Sequence, residues 1–182
     1  MSRSFMLAPL LNLLIVAGLT VAQQEQKPPP APKPGPEHAH LKTIEGTWDT
    51  LMTMPDGKKS KGQAIYKMEC GGLWLTSEFK GEFEGADFQG RGLDGYDPAK
   101  KKYVSVWVDS MTTVPMFMEG TRDESTKTIT QTGESPGPDG KPMKMKGVSK
   151  EIDNDYMTFE LYVTGPDGKE AKMMTIAYTR RK

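Results

Sequence analysis

The chain has 182 residues and carries 24 basic against 24 acidic side chains, a formal net charge of zero. That balance predicts no strong attraction to nucleic acid or to anionic lipid. Cys70 is the single cysteine, so an internal disulfide is excluded, and a chain of this length can bury enough surface to fold without one.

The N-terminus opens with Arg3, continues through a mostly apolar run from Phe5 to Val21, and ends in Thr20-Val21-Ala22. Small residues at the −3 and −1 positions predict a signal peptide over residues 1–22, cut after Ala22. Pro9, Asn12 and Gly18 interrupt the run and leave an apolar stretch of roughly a dozen residues, short of the ~20 needed to span a bilayer. A secreted or periplasmic protein with no stable membrane insertion after cleavage is expected. Residues 23–36 are polar and rich in proline, a composition that favours extended polyproline II and predicts a spacer. The folded domain is expected over residues 37–182, a normal size for one domain.

Pro36-Glu37-His38-Ala39-His40-Leu41-Lys42 reads as one or two helical turns, with Pro36 at the first helical position and Glu37 at the positive end. Beyond it the apolar period is two. Three turn signatures, Pro55-Asp56-Gly57, Pro138-Asp139-Gly140 and Pro166-Asp167-Gly168, punctuate alternating runs. Ile44, Gly46, Trp48, Thr50, Met52 and Met54 share one face of the first strand. Gly62, Ala64, Tyr66, Met68 and Cys70 share one face of the second. Roughly ten strands in all run in meander order, among them Leu73–Phe83, Gln89–Tyr96, Lys102–Ser110 and Thr126–Gly133. An antiparallel meander of this length leaves sticky edges unless it closes, so an all-β up-and-down barrel with a short N-terminal helix is predicted. The glycines at 81, 85, 90, 92 and 95 are expected as bulges or tight bends. Lys58-Lys59-Ser60-Lys61 and Lys144, Lys146 and Lys150 argue against a membrane-embedded barrel, which needs an apolar outer band on every strand.

Chemistry-bearing residues are sparse. His38 and His40 both precede the strands, and an i, i+2 pair points to different helix faces, which is poor geometry for one metal. Capping or solvation is expected of them, and no metal site. The strands carry no histidine to serve as an axial haem ligand, so no cofactor is expected. Cys70, with no base on the strands to activate it, is expected as a small buried hydrophobe. Of the acidic pairs, Glu82 with Glu84, Asp94 with Asp97 and Asp153 with Asp155, most are expected in turns, and no catalytic residue is assigned.

The strand around Trp107 is apolar on both faces, Tyr103-Ser105-Trp107-Asp109 on one and Val104-Val106-Val108 on the other. If the valines fill the interior, the aromatics lie outside and want a partner. If the aromatics point inward, Asp109 sits at the rim of an aromatic-walled pocket. On that second alternative the ligand-binding candidates are Trp48, Tyr66, Arg91, Tyr103, Trp107, Asp109, Arg122, Tyr178 and Arg180.

Gly46-Thr47-Trp48 after a short helix resembles the Gly-x-Trp signature of lipocalins and their calycin relatives, in which the tryptophan packs across the closed end of the barrel. The longer pattern is more specific. Glu37-His38, Leu41, Gly46-Thr47-Trp48, Gly92-Leu93-Asp94-Gly95-Tyr96-Asp97, Lys102 through Met111 and the ending Tyr178-Thr179-Arg180 resemble the bacterial DUF1579 family. The resemblance covers the chain from Glu37 onward and implies a lipocalin-like barrel with no established reaction. The expected function is binding of a small apolar or amphiphilic ligand without catalysis. The alternatives are an envelope interaction protein that forms a homodimer through an outer strand face, and an enzyme using a barrel-mouth carboxylate such as Asp109.

Overall fold

Ten antiparallel strands close on themselves in the order β1-β10-β9-β8-β7-β6-β5-β4-β3-β2, a meander with no crossover. The computed structural model describes residues 30–137, 140–165 and 167–182. The expected signal peptide, its cut after Ala22 and the first part of the spacer lie outside the described residues, as do Pro138, Asp139 and Pro166. Residues Pro32–Lys182 form one compact unit.

The elements are α1 (Pro36–Thr43), β1 (Gly46–Thr53), β2 (Lys59–Glu69), β3 (Trp74–Phe83), β4 (Ala86–Asp97) and β5 (Lys102–Asp109). They continue with β6 (Met116–Asp123), β7 (Thr128–Pro136), β8 (Pro142–Glu151), β9 (Tyr156–Thr164) and β10 (Glu170–Arg180). Closure is made by β1 on β10, in register from Trp48 opposite Arg180 to Thr53 opposite Thr175. Every strand then has two partners, which removes the edges an open meander would expose.

The three proline-aspartate-glycine turns share one hydrogen-bond pattern. The amide of Met54 donates to the carbonyl of Lys58, that of Gly137 to Lys141 and that of Gly165 to Lys169. Inside each, the turn glycine (Gly57, Gly140, Gly168) donates back to the first residue and adopts a positive φ of 75–85°. Side chains larger than hydrogen are disfavoured there, so the sequence signature follows from backbone sterics.

The glycines of β3 and β4 do a different job from the one expected. Both ladders run without a register shift, and the shift on β10 falls between Lys172 and Met174 instead. Gly85 sits in the β3–β4 turn at φ 83°. Gly90 makes room for an aromatic ring: a Cβ there would lie 2.1 Å from Trp107 Cζ2. Gly95 does the same beneath Trp74 on the outside.

The helix covers one end of the barrel, the closed end, and the opposite end is called the open one. Helix α1 packs on β2, β3 and β4, and Leu41 joins Leu75, Tyr103 and Ile129 in a buried cluster at the closed end. Trp48 is 2% exposed, its Nε1 donates to the Ile44 carbonyl at 2.9 Å, and the Arg180 guanidinium lies 4.1 Å from the ring centroid. Arg180 also donates to the carbonyls of Thr43, Glu45 and Asn154, tying the strand end to the chain leaving the helix. At the opposite end the inward positions are Met54, Phe83, Phe88, Met116, Met145 and Met174.

Candidate functional site

On β5 the aromatic face is the inner one. Tyr103 is buried, Ser105 and Trp107 face the interior, and Val108 on the other face is exposed. Trp107 lies over Gly90, and its Nε1 donates to Asp109 Oδ2 at 2.9 Å, while Asp109 Oδ1 accepts from the Met111 amide. Asp109 therefore anchors both the indole and the loop after β5.

The most consequential inward residue is Asp94, which the sequence places within the strand Gln89–Tyr96 but to which it assigns no role. It stands on β4 opposite Leu75 on one side and Ser105 on the other. Ser105 Oγ donates to Asp94 Oδ1 at 2.5 Å, and Gln131 Nε2 donates to Ser105 Oγ at 2.8 Å. Asp94 lies deep in the barrel, although water still reaches part of its surface. Burial pushes its carboxyl up to about 6, against the opposing effects of the Ser105 hydrogen bond and the His40 charge. The nearby phenols of Tyr66 and Tyr178, with ring centroids 6.4 Å apart, are also pushed up by burial, Tyr178 to about 12. A carboxyl poised near neutrality beside two phenols can accept a proton or hold a donor.

A second polar cluster closes the same end. His40 Nδ1 lies 2.8 Å from Glu151 Oε1, and Arg122 donates to the same oxygen at 3.0 Å. The His40 approach is an ion-pair contact rather than an aligned hydrogen bond, and its Nε2 is buried without a partner among the described residues. Burial pushes the Glu151 carboxyl up, but His40 and then Arg122 overcome this and hold it at about 2. His38 matches the capping expectation, its Nδ1 accepting from the Gly35 amide at 3.0 Å. His40 departs from the expectation for the pair: its side chain is 8% exposed and stacks edge-on against Tyr103.

The sequence-derived residues are thus spread along the barrel axis. Trp48 and Arg180 meet at the closed end, Tyr66 and Tyr178 meet inside, and Trp107 and Asp109 meet near the open end. Tyr103 and Arg122 belong to the closed end with His40 and Glu151. Arg91 is a correction: strand parity turns it outward, where it is exposed and paired with Glu78 at 2.6 Å. There it borders a shallow outer-wall depression of about 340 Å³ together with Lys80, Gln89 and Val108. Cys70 is also corrected. β2 ends at Glu69, and Cys70 opens a short 3-10 turn at φ 51°, leaving its thiol exposed. Gln131, His40, Glu151 and Asp94 were missed, although alternation from Tyr96 back to Asp94 already carried the parity of the last.

The family model for "Protein of unknown function (DUF1579)" matches residues 33–180. The chain belongs to the DUF1579 family. A search of curated proteins finds no match. Among solved structures, this DUF1579 chain is similar to Rv2717c from M. tuberculosis at a TM-score of 0.58 and 12% identity, over 81% of this chain and 99% of that one. It is also similar to a redesigned β-barrel, mFAP1, bound to DFHBI, at a TM-score of 0.44 and 19% identity, over 78% and 98%. A de novo fluorescence-activating β-barrel matches at 0.44 and 17%, over 78% and 96%. At these identities the likeness to Rv2717c speaks for the barrel fold alone.

Proposed function

We propose that the protein is an exported carrier that holds a small apolar or amphiphilic molecule inside its barrel without transforming it. The observation that carries this reading is the polarity gradient along the interior: methionine and aromatic side chains at the open end, and the Asp94-Ser105-Gln131 chain towards the closed end. On β1 to β3, inward Trp48, Thr50, Leu75 and Ser77 are buried, while Tyr66, Met68 and Phe83 are half-buried. Inward Ser105, Trp107, Gln131, Ser149 and Phe159 are half-buried as well, among buried Met118, Ile129 and Leu161, and the half-buried positions support solvent-reachable space beside them. A ten-stranded barrel is wider than the eight-stranded kind, whose interior side chains fill or which holds one small ligand. Methionine, unbranched and polarizable, suits a mouth that must adapt to its occupant. Native mass spectrometry of protein purified from its own host tests the reading: a reproducible adduct of small-molecule mass supports it, and bare protein from every preparation opposes it. Export rests on the sequence of residues 1–22, and N-terminal sequencing of exported protein should read Gln23-Gln24-Glu25.

A second reading is favoured by one outer-wall feature. Leu93, Val106 and Phe117 form one cross-strand row, with Val108 beside it, and Phe117 is 60% exposed. An apolar row of this kind suits association with a second copy. Analytical ultracentrifugation separates the two, since Phe117→Lys would dissolve a dimer and leave a carrier unaffected.

A further inference from the structure

We propose that the carrier selects ligands with a cationic, hydrogen-bond-donating head, a primary ammonium on an apolar body, and that Asp94 receives that head. The inference rests on the interior-binding reading above and names its ligand class. A carboxylate can accept about four hydrogen bonds, yet among the described residues Asp94 accepts only the one from Ser105 Oγ, at 2.5 Å on Oδ1. Ser105 is itself held by Gln131, so the free acceptor capacity lies on Oδ2. Among the described residues no basic side chain forms an ion pair with the carboxylate, and only the charge of His40 acts on it from the helix side. On its own strand Arg91 faces outward to Glu78, while Lys100 and Lys102 pair with Glu119 on the outer wall. At the closed end, His40 and Arg122 are both committed to Glu151.

A buried anion with spare acceptors and no paired cation is costly unless neutralised. An ammonium would supply charge and donors together, and nearby Tyr66 and Tyr178 offer it aromatic rings. An anionic head would be repelled, and an alcohol would supply a hydrogen bond without charge. The methionine and phenylalanine side chains toward the open end would then take the apolar body. The groups facing Asp94 are Tyr66 on β2, Ser105 on β5, Gln131 on β7, Tyr178 on β10 and, from the helix side, His40 with its Glu151 and Arg122 partners. Burial holds the carboxyl at about 6, so it is ionised above that pH and neutral below it.

The test is displacement of a bound apolar fluorescent dye by decylamine, decanol and decanoate below their micellar concentrations. At pH 7.5 the amine should displace the dye at least about tenfold more tightly than the alcohol, with the carboxylate weakest. Asp94→Asn should bring the amine-to-alcohol ratio within about twofold. Independently of any variant, the wild-type ratio should fall as pH drops from 7.5 to 5, where decylamine stays protonated and Asp94 does not stay ionised. Saturable dye binding with no amine preference, or with a ratio flat across that pH range, overturns this proposal alone. Folded wild-type protein that fails to bind the dye overturns the interior-binding reading and this proposal with it.

Discussion

Replacing Trp48 with alanine removes the largest buried side chain at the closed end. Losing a buried aromatic costs about 3–5 kcal/mol. Two further losses push toward the upper half of that range. The Ile44 carbonyl forfeits its 2.9 Å bond from Nε1, a net loss of about 1 kcal/mol. The Arg180 guanidinium forfeits the ring 4.1 Å away, a contact worth about 1 kcal/mol. Urea unfolding followed by circular dichroism, with linear extrapolation, should therefore show a loss of ~4–5 kcal/mol. In a domain of this size the melting temperature should fall by roughly 10–15 °C. Trp48→Phe keeps the apolar packing and drops the donor, so it should lose only about 1–2 kcal/mol. A Trp48→Ala loss smaller than a surface substitution gives, about 0.5 kcal/mol, would refute the account of how the barrel is closed.

Further outcomes follow from the interior. Asp94 binds its proton more tightly in the folded state than unfolded, because burial raises its carboxyl to about 6. Its stabilising effect is complete below about pH 4 and lost as pH rises through 6, a loss of up to about 3 kcal/mol. Glu151 acts in the opposite sense, its contribution falling away only as pH drops from its ordinary range toward 2. Urea unfolding of wild type and Asp94→Asn between pH 4.5 and 8 isolates the first effect, and only the wild type should weaken as pH rises. Gly90→Ala would place a Cβ 2.1 Å from the Trp107 ring. It should cost about 1–3 kcal/mol through overpacking and change the tryptophan emission, both read in one fluorescence-monitored unfolding curve.

How far the sequence revealed this molecule depends on the range over which each residue is determined. Turns are local: proline, aspartate and glycine in that order impose the same hydrogen-bond pattern wherever they occur, so the meander was legible. Inward parity was legible where a strand carried a clear apolar face, as at Trp48, Thr50 and Met52. Asp94 falls inside the expected strand Gln89–Tyr96, but the glycines around it leave that strand without an apolar face, so only its partners β3 and β5 turn it inward. The direction of the Trp107 face was left open for the same reason, since both faces of β5 are apolar until closure chooses one. Arg91 and Cys70 show the opposite limit. Each departs from its expected surroundings by one step in parity or strand length. Binding of His40 to Glu151 is a contact between the helix and the eighth strand that no local pattern encodes.

The carrier reading meets its most direct test in equilibrium titration of the mature domain with an apolar fluorescent dye. Saturable binding is expected with a dissociation constant of roughly micromolar order, about −8 kcal/mol. Trp107→Ala, which strips the indole from the inner wall, should weaken it at least about tenfold, or ~1.4 kcal/mol. His38→Ala, which only uncaps the helix, should leave it unchanged. A folded protein that shows no saturable binding, or one that binds equally well without Trp107, would contradict the account.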